Sequence, residues 1–111
     1  MKKEIDIQKE ILDYLWRQDI FCWRNNSVGL FDPIRGIVRK PNKYQLLGVS
    51  DILGSYKGKP LAIEVKSATG KLSENQVKFL DKAISEGWIA FTARSVEDVE
   101  AKFNQFEKID E

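Results

Sequence analysis

Apolar residues recur at intervals of three and four near the start of the chain. Ile7, Ile11, Leu12, Leu15 and Trp16 form one stripe, which predicts an amphipathic helix from Glu4 to Gln18. Ile20 to Arg24 then reads as a short strand. Residues 25 to 49 hold Asn25-Asn26, Asp32-Pro33, Gly36 and Pro41-Asn42, so they predict a long connection with a small ribbon at Ile37-Val38-Arg39. Two strand-like runs follow, Ser50 to Tyr56 and Leu61 to Lys66, separated by the turn-forming stretch Lys57-Gly58-Lys59-Pro60. Ser73 is a good N-cap for a helix running to about Glu86 and ended by Gly87. Trp88 to Thr92 reads as a buried strand, and Ser95 caps a last helix reaching about Phe106. The order is αβββαβα, which predicts an α/β domain with a mixed central sheet flanked by helices, one domain over residues 1–111.

The hairpin brings unusual residues together. If a four-residue turn closes a regular antiparallel pair, Tyr56 faces Leu61, Leu53 faces Glu64 and Asp51 faces Lys66. Side chains alternate with period two, so Asp51, Ala62, Glu64 and Lys66 share one face while Ile52, Leu61, Ile63 and Val65 form the buried one. Asp51 and Glu64 are then diagonal neighbours, about 7 to 8 Å apart at Cα, within reach of one cation. All-oxygen donors favour a hard ion, Mg2+ or Mn2+. Taken singly, such an Asp is more often a turn former and such a Glu a solvent-facing strand residue.

Composition narrows the chemistry. There is no His and a single Cys, so His-based triads, the usual zinc sites and an internal disulfide are excluded. Cys22, between Phe21 and Trp23, reads as a buried, inert thiol. Net charge is only +1, yet residues 20 to 80 carry ten Lys or Arg against four acids, and the tail from 81 is acidic. A basic centre around the carboxylates suits a phosphate-bearing partner. No run approaches a membrane span, and Met1-Lys2-Lys3 leads into charged residues instead of an apolar signal core. A cytoplasmic protein of a bacterium or a phage-infected cell is expected.

Ser50-Asp51 followed by Glu64-Val65-Lys66 resembles the signature of the PD-(D/E)xK nuclease superfamily, with Ser50 where Pro is usual. With its flanks the likeness narrows. Gly48-Val49-Ser50-Asp51-Ile52-Leu53-Gly54, Leu61 to Lys66 and Gly70-Lys71-Leu72-Ser73-Glu74-Asn75-Gln76 resemble the VRR-NUC family, the virus-type replication-repair nucleases. Ile7-Gln8 with Ile11-Leu12, Trp23 to Ser27 and Ala93 to Val96 fit the same family, so the likeness spans roughly residues 4 to 100.

The resemblance implies a restriction-endonuclease-like core. It implies a metal held by Asp51, Glu64 and the Val65 carbonyl, with Lys66 positioning the attacking water or neutralising developing charge, and Gln76 near the site. It also calls for an acid from the first helix. Glu4, with Gln8 beside it, lies on the face of Ile11 and Leu15 and is preferred to Glu10, although an acid there also simply balances the helix dipole. Lys71 and Ser73 precede a helix N-terminus and are candidates to bind phosphate. Arg24, Asn25, Asn26 and Ser27, then Arg35, Arg39, Lys40 and Lys43, are candidate DNA contacts, with Tyr44 able to stack on an unpaired base. The expected activity is Mg2+- or Mn2+-dependent cleavage of branched DNA, most of all Holliday junction resolution by a homodimer whose interface draws on Leu30, Phe31, Leu46 and Leu47. A flap- or nick-processing or restriction-like endonuclease, and a non-catalytic junction-binding module, are the alternatives.

Overall fold

The computed structural model describes residues 1–25, 31–32, 34–38 and 43–109. Helix α1 spans Glu4–Arg17, strand β1 Cys22–Arg24, and a two-stranded ribbon pairs β2, Phe31–Asp32, with β3, Ile37–Val38. Strands β4, Ile52–Tyr56, and β5, Lys59–Val65, form the hairpin. Helix α2, Glu74–Ser85, strand β6, Ile89–Ala93, and helix α3, Val96–Ile109, complete the chain. The four-stranded sheet has the order β1-β4-β5-β6, antiparallel except for the β5–β6 pair. The αβββαβα order and the mixed sheet agree with the sequence pattern.

The hairpin differs from the expectation in one consequential way. Its turn is two residues, Lys57 and Gly58, both left-handed with φ of 49° and 83°. This is the primed turn whose twist matches that of paired strands. Pro60 suggested a longer turn, but it sits inside β5 opposite Ser55. The β5–β6 ladder begins only at Leu61 with Ile89, so the missing N–H of Pro60 interrupts nothing. Tyr56 therefore stands opposite Lys59, Leu53 opposite Ala62 and Ile52 opposite Ile63. A shift of two keeps every side chain on its expected face and changes every partner.

Both faces of the sheet are covered. On one, Ile7, Ile11 and Leu15 of α1 and Val99 and Phe103 of α3 pack on Cys22, Ile52, Leu61, Ile63, Val65, Ile89 and Phe91. Tyr56 stacks on Phe103 and donates to Glu107 Oε1 at 2.5 Å, which ties α3 to the hairpin. On the other face, Leu80 and Ala83 of α2 pack on Ala62 and Ala90. Because α2 is the crossover between the parallel strands β5 and β6, it must lie on that face. The face expected to be open is thus roofed along β5 and β6, and Ala62, Glu64 and Lys66 are buried too. Trp16 also departs from its stripe. It is exposed, and its indole N–H donates to the Cys22 carbonyl at 3.1 Å, covering part of the free edge of β1.

Candidate active site

The end of β4 and the end of β5 build the site. One step beyond the Ile52–Ile63 pair, the corrected register sets Asp51 directly across from Glu64 instead of diagonally. Asp51 Oδ2 accepts the Val65 main-chain N–H at 2.8 Å, taking the place of the next rung of the ladder. The N–H and C=O of one strand residue point to the same side, so the Val65 carbonyl faces the end of β4 as well. From the other side, Asn25 fixes the Asp51 segment. Its main-chain N–H donates to Asp51 O at 2.7 Å and its side-chain amide to Ser50 O at 3.3 Å.

Glu64 is 1% exposed. Its carboxyl is pushed up from 4.5 to about 8, first by burial, then by the negative charge of Asp51 and the close approach of the two carboxyl groups. Lys66 opposes that rise, and the charge of Glu4 adds to it. Glu64 Oε1 accepts from Gln76 Nε2 at 2.9 Å, whereas Oε2 is buried with no hydrogen-bond partner among the described residues. An orphaned buried carboxylate oxygen facing a second carboxylate calls for a proton or a cation.

Helix α2 delivers Gln76. Ser73 caps it in a capping box: Ser73 Oγ accepts from the Gln76 main-chain N–H at 3.2 Å, and Gln76 Oε1 accepts from the Ser73 main-chain N–H at 2.8 Å. The Ser73 hydroxyl is thus already engaged in the cap, while Lys71 is exposed just before it. Gly48, at φ 75°, lies against the same helix end, where a Cβ would meet the Asn75 carbonyl carbon at 2.3 Å and Gln76 N at 2.6 Å.

Lys66 is buried, its stem covered by the turn at Gly70. Arg94 braces that turn from the end of β6, its Nη1 donating to the carbonyls of Ser67 and of Gly70, the latter at 2.8 Å. On α1, Gln8 is buried and Glu4 half-buried, while Glu10 is engaged by Lys2 at 2.7 Å.

The structure therefore gathers Asp51, Glu64, Val65, Lys66 and Gln76, with the charge of Glu4 felt at Glu64. Arg24 and Lys43 are exposed, and the Lys43 ammonium lies over the Tyr44 ring. Asn25, read from sequence as a DNA contact, bonds its own chain. Leu46 and Leu47 are exposed. Asn26, Ser27, Leu30, Arg39, Lys40 and the side chain of Phe31 lie outside the described residues. Sequence reasoning missed Gly48 and Arg94 as braces; a glycine in a turn hints at close approach, but nothing in the sequence marks the carbonyls that Arg94 meets. Among the described residues no group of three or more His, Cys, Asp or Glu is gathered closely enough to hold a metal by itself. No helix among them is long and apolar enough to cross a membrane.

No family model matches the sequence, and no match was found among the curated proteins.

Proposed function

We propose that this chain is a Mg2+- or Mn2+-dependent endonuclease with a restriction-endonuclease-like PD-(D/E)xK core of VRR-NUC type, acting on branched DNA and resolving Holliday junctions as a homodimer. The observation that carries the reading is the cross-strand pair of Asp51 and Glu64, one oxygen of Glu64 orphaned and its carboxyl raised, with buried Lys66 next along the same face. A divalent ion fits this donor set. Asp51, Glu64 and the Val65 carbonyl would hold it, with its remaining positions left to water and phosphate oxygens. Bound there, the ion supplies Lewis acidity and a water of lowered pKa.

The chain's own groups do the rest. Asp51 is fixed at its carboxylate by the Val65 N–H and at its main chain by Asn25, so little reorganisation is needed when substrate arrives. Gln76 holds Glu64 Oε1 and leaves Oε2 as the oxygen that would serve as ligand. Lys66, shielded from water, neutralises charge building on the phosphate oxygens more strongly than an exposed lysine could. The basic segment from 20 to 80 draws the phosphates in. Symmetric cutting of a junction needs two such sites, hence the dimer, for which exposed Leu46 and Leu47 are candidate contacts.

Four-way junction, flap, nicked and linear DNA incubated with and without Mg2+ or Mn2+ test the proposal. Metal-dependent paired incisions in the junction are expected. Asp51→Asn and Glu64→Gln should abolish cleavage while junction binding persists, and near wild-type cleavage by either in saturating metal would sink the assignment. Single unpaired cuts in flap or nicked DNA would favour the processing alternative.

A further inference from the structure

Phe21 and Trp23 are a large exposed apolar feature that the proposed chemistry does not use. Backbone alternation puts Trp23, opposite Leu53, on the same sheet face as Asp51 and Glu64. Helix α2 lies over β5 and β6, while at the edge strand β1 no described element covers the face, and Trp23 is 44% and Phe21 72% exposed. Their rings tilt together at 5.4 Å between centroids, so two aromatic surfaces form one ledge. Asp51 is the diagonal cross-strand neighbour of Trp23, about 7 to 8 Å away at Cα.

We propose that Phe21 and Trp23 are a stacking platform for an unpaired base next to the scissile phosphate, so that the favoured substrate is DNA with unstacked bases at the cut. The proposal rests on the nuclease reading and specifies its substrate. Two observations favour a base over a second copy of the chain. The ledge is continuous with the carboxylate face, so a protein seated on it would crowd the entry to Asp51. Two aromatic side chains supply only about 300 to 500 Å2, short of the roughly 800 Å2 per partner of a stable dimer.

Binding without divalent metal separates the outcomes. Wild type should bind a duplex carrying a short unpaired flap more tightly than the same duplex fully paired. The Phe21→Ala/Trp23→Ala double variant should lose that preference by roughly tenfold or more at unchanged affinity for paired duplex. Trp23→Phe should keep most of it. A 2-aminopurine at the branch should change its emission on binding wild type and not the double variant, with circular dichroism checking that both are folded. An undiminished preference in the double variant overturns the platform while leaving the nuclease reading intact. Equal affinity of wild type for flap and paired DNA does the same. A fall in mass by light scattering with DNA preference retained overturns it in favour of an interface between copies. Failure of wild type to bind or cut any DNA removes the nuclease reading and the platform with it.

Discussion

Gln76 holds Glu64 through an amide fixed at both ends. Its Nε2 donates to Glu64 Oε1 at 2.9 Å, and its Oε1 accepts the Ser73 main-chain N–H at 2.8 Å. The cap that starts α2 therefore also determines which end of the amide meets the carboxylate. Reversing the amide would leave two donors facing each other and two acceptors facing each other.

That double role separates two variants. Gln76→Glu keeps an acceptor for the cap but sets a carboxylate against Glu64. Cleavage should fall by roughly 10- to 100-fold, the worth of one hydrogen bond to a charged group, with stability changed little. Gln76→Ala loses both contacts and should also lose about 1 kcal/mol of stability. Single-turnover rates over a metal titration, beside thermal melts, check this; a Glu variant as fast as wild type would show that the contact is structural only.

Glu64 predicts an unusual pH dependence of stability. Its carboxyl is raised from 4.5 to about 8 in the folded protein. Between those values the folded state holds a proton that the unfolded state has released, so this group's contribution is complete below pH 4.5 and is lost as pH rises towards 8. Melting temperature of the metal-free protein should therefore decline across that window, and Glu64→Gln should flatten the decline. Mg2+ should act in the opposite sense, raising the melting temperature more at pH 8 than at pH 5, because its binding needs the carboxylate. Parallel pH profiles of wild type and Glu64→Gln would show that Glu64 is not protonated at neutral pH.

Much of this arrangement was legible in the sequence. Alternation in β4 and β5 put Asp51, Glu64 and Lys66 on one face whatever the register, since a slip of two preserves parity. The Ser73 cap and the Gly87 stop stand where local chemistry puts them, because both signals act within one helical turn. The turn misled because Pro60 carries a loop signal that its place below the first β5–β6 rung overrides. Burial of Glu64 and Lys66 was hidden for a different reason: it depends on α2 folding back over the sheet, a long-range contact with no local signature. Trp16 fell on the right stripe and still faces outwards, its indole spent on the edge of β1.

Arg94 should matter for alignment more than for charge. Its two bonds to the Ser67 and Gly70 carbonyls hold the turn that covers Lys66. Arg94→Ala should cost about 0.5 to 1.5 kcal/mol of stability, since Ser67 O keeps the Gly70 N–H and water can reach both carbonyls, and should slow cleavage at temperatures where the variant is fully folded. Arg94→Lys should restore only part of this, because an ammonium can donate to two carbonyls as Nη1 does but sits on a shorter stem that places it differently. Urea unfolding and single-turnover cleavage of the three proteins decide it, and full rescue by Lys would show that any donor within reach of the two carbonyls suffices.

Gly48 offers the sharpest test of how the site is closed. Its φ of 75° disfavours any other residue, and a Cβ there would stand 2.3 Å from the Asn75 carbonyl carbon, which is main chain and cannot swing aside. Gly58 has a similar φ of 83° but nothing within 4 Å, so Gly58→Ala meets the conformational penalty alone. Gly48→Ala should therefore lose about 1 to 3 kcal/mol more than Gly58→Ala, the overpacking component. The overlap lies between the segment leading to Asp51 and the helix end carrying Gln76, so relief must move one from the other. Cleavage by Gly48→Ala should fall even at low temperature, whereas Gly58→Ala should cut normally. Equal losses of stability with normal cleavage in both would mean that the loop before Asp51 adjusts freely, and that the site does not depend on its seat against α2.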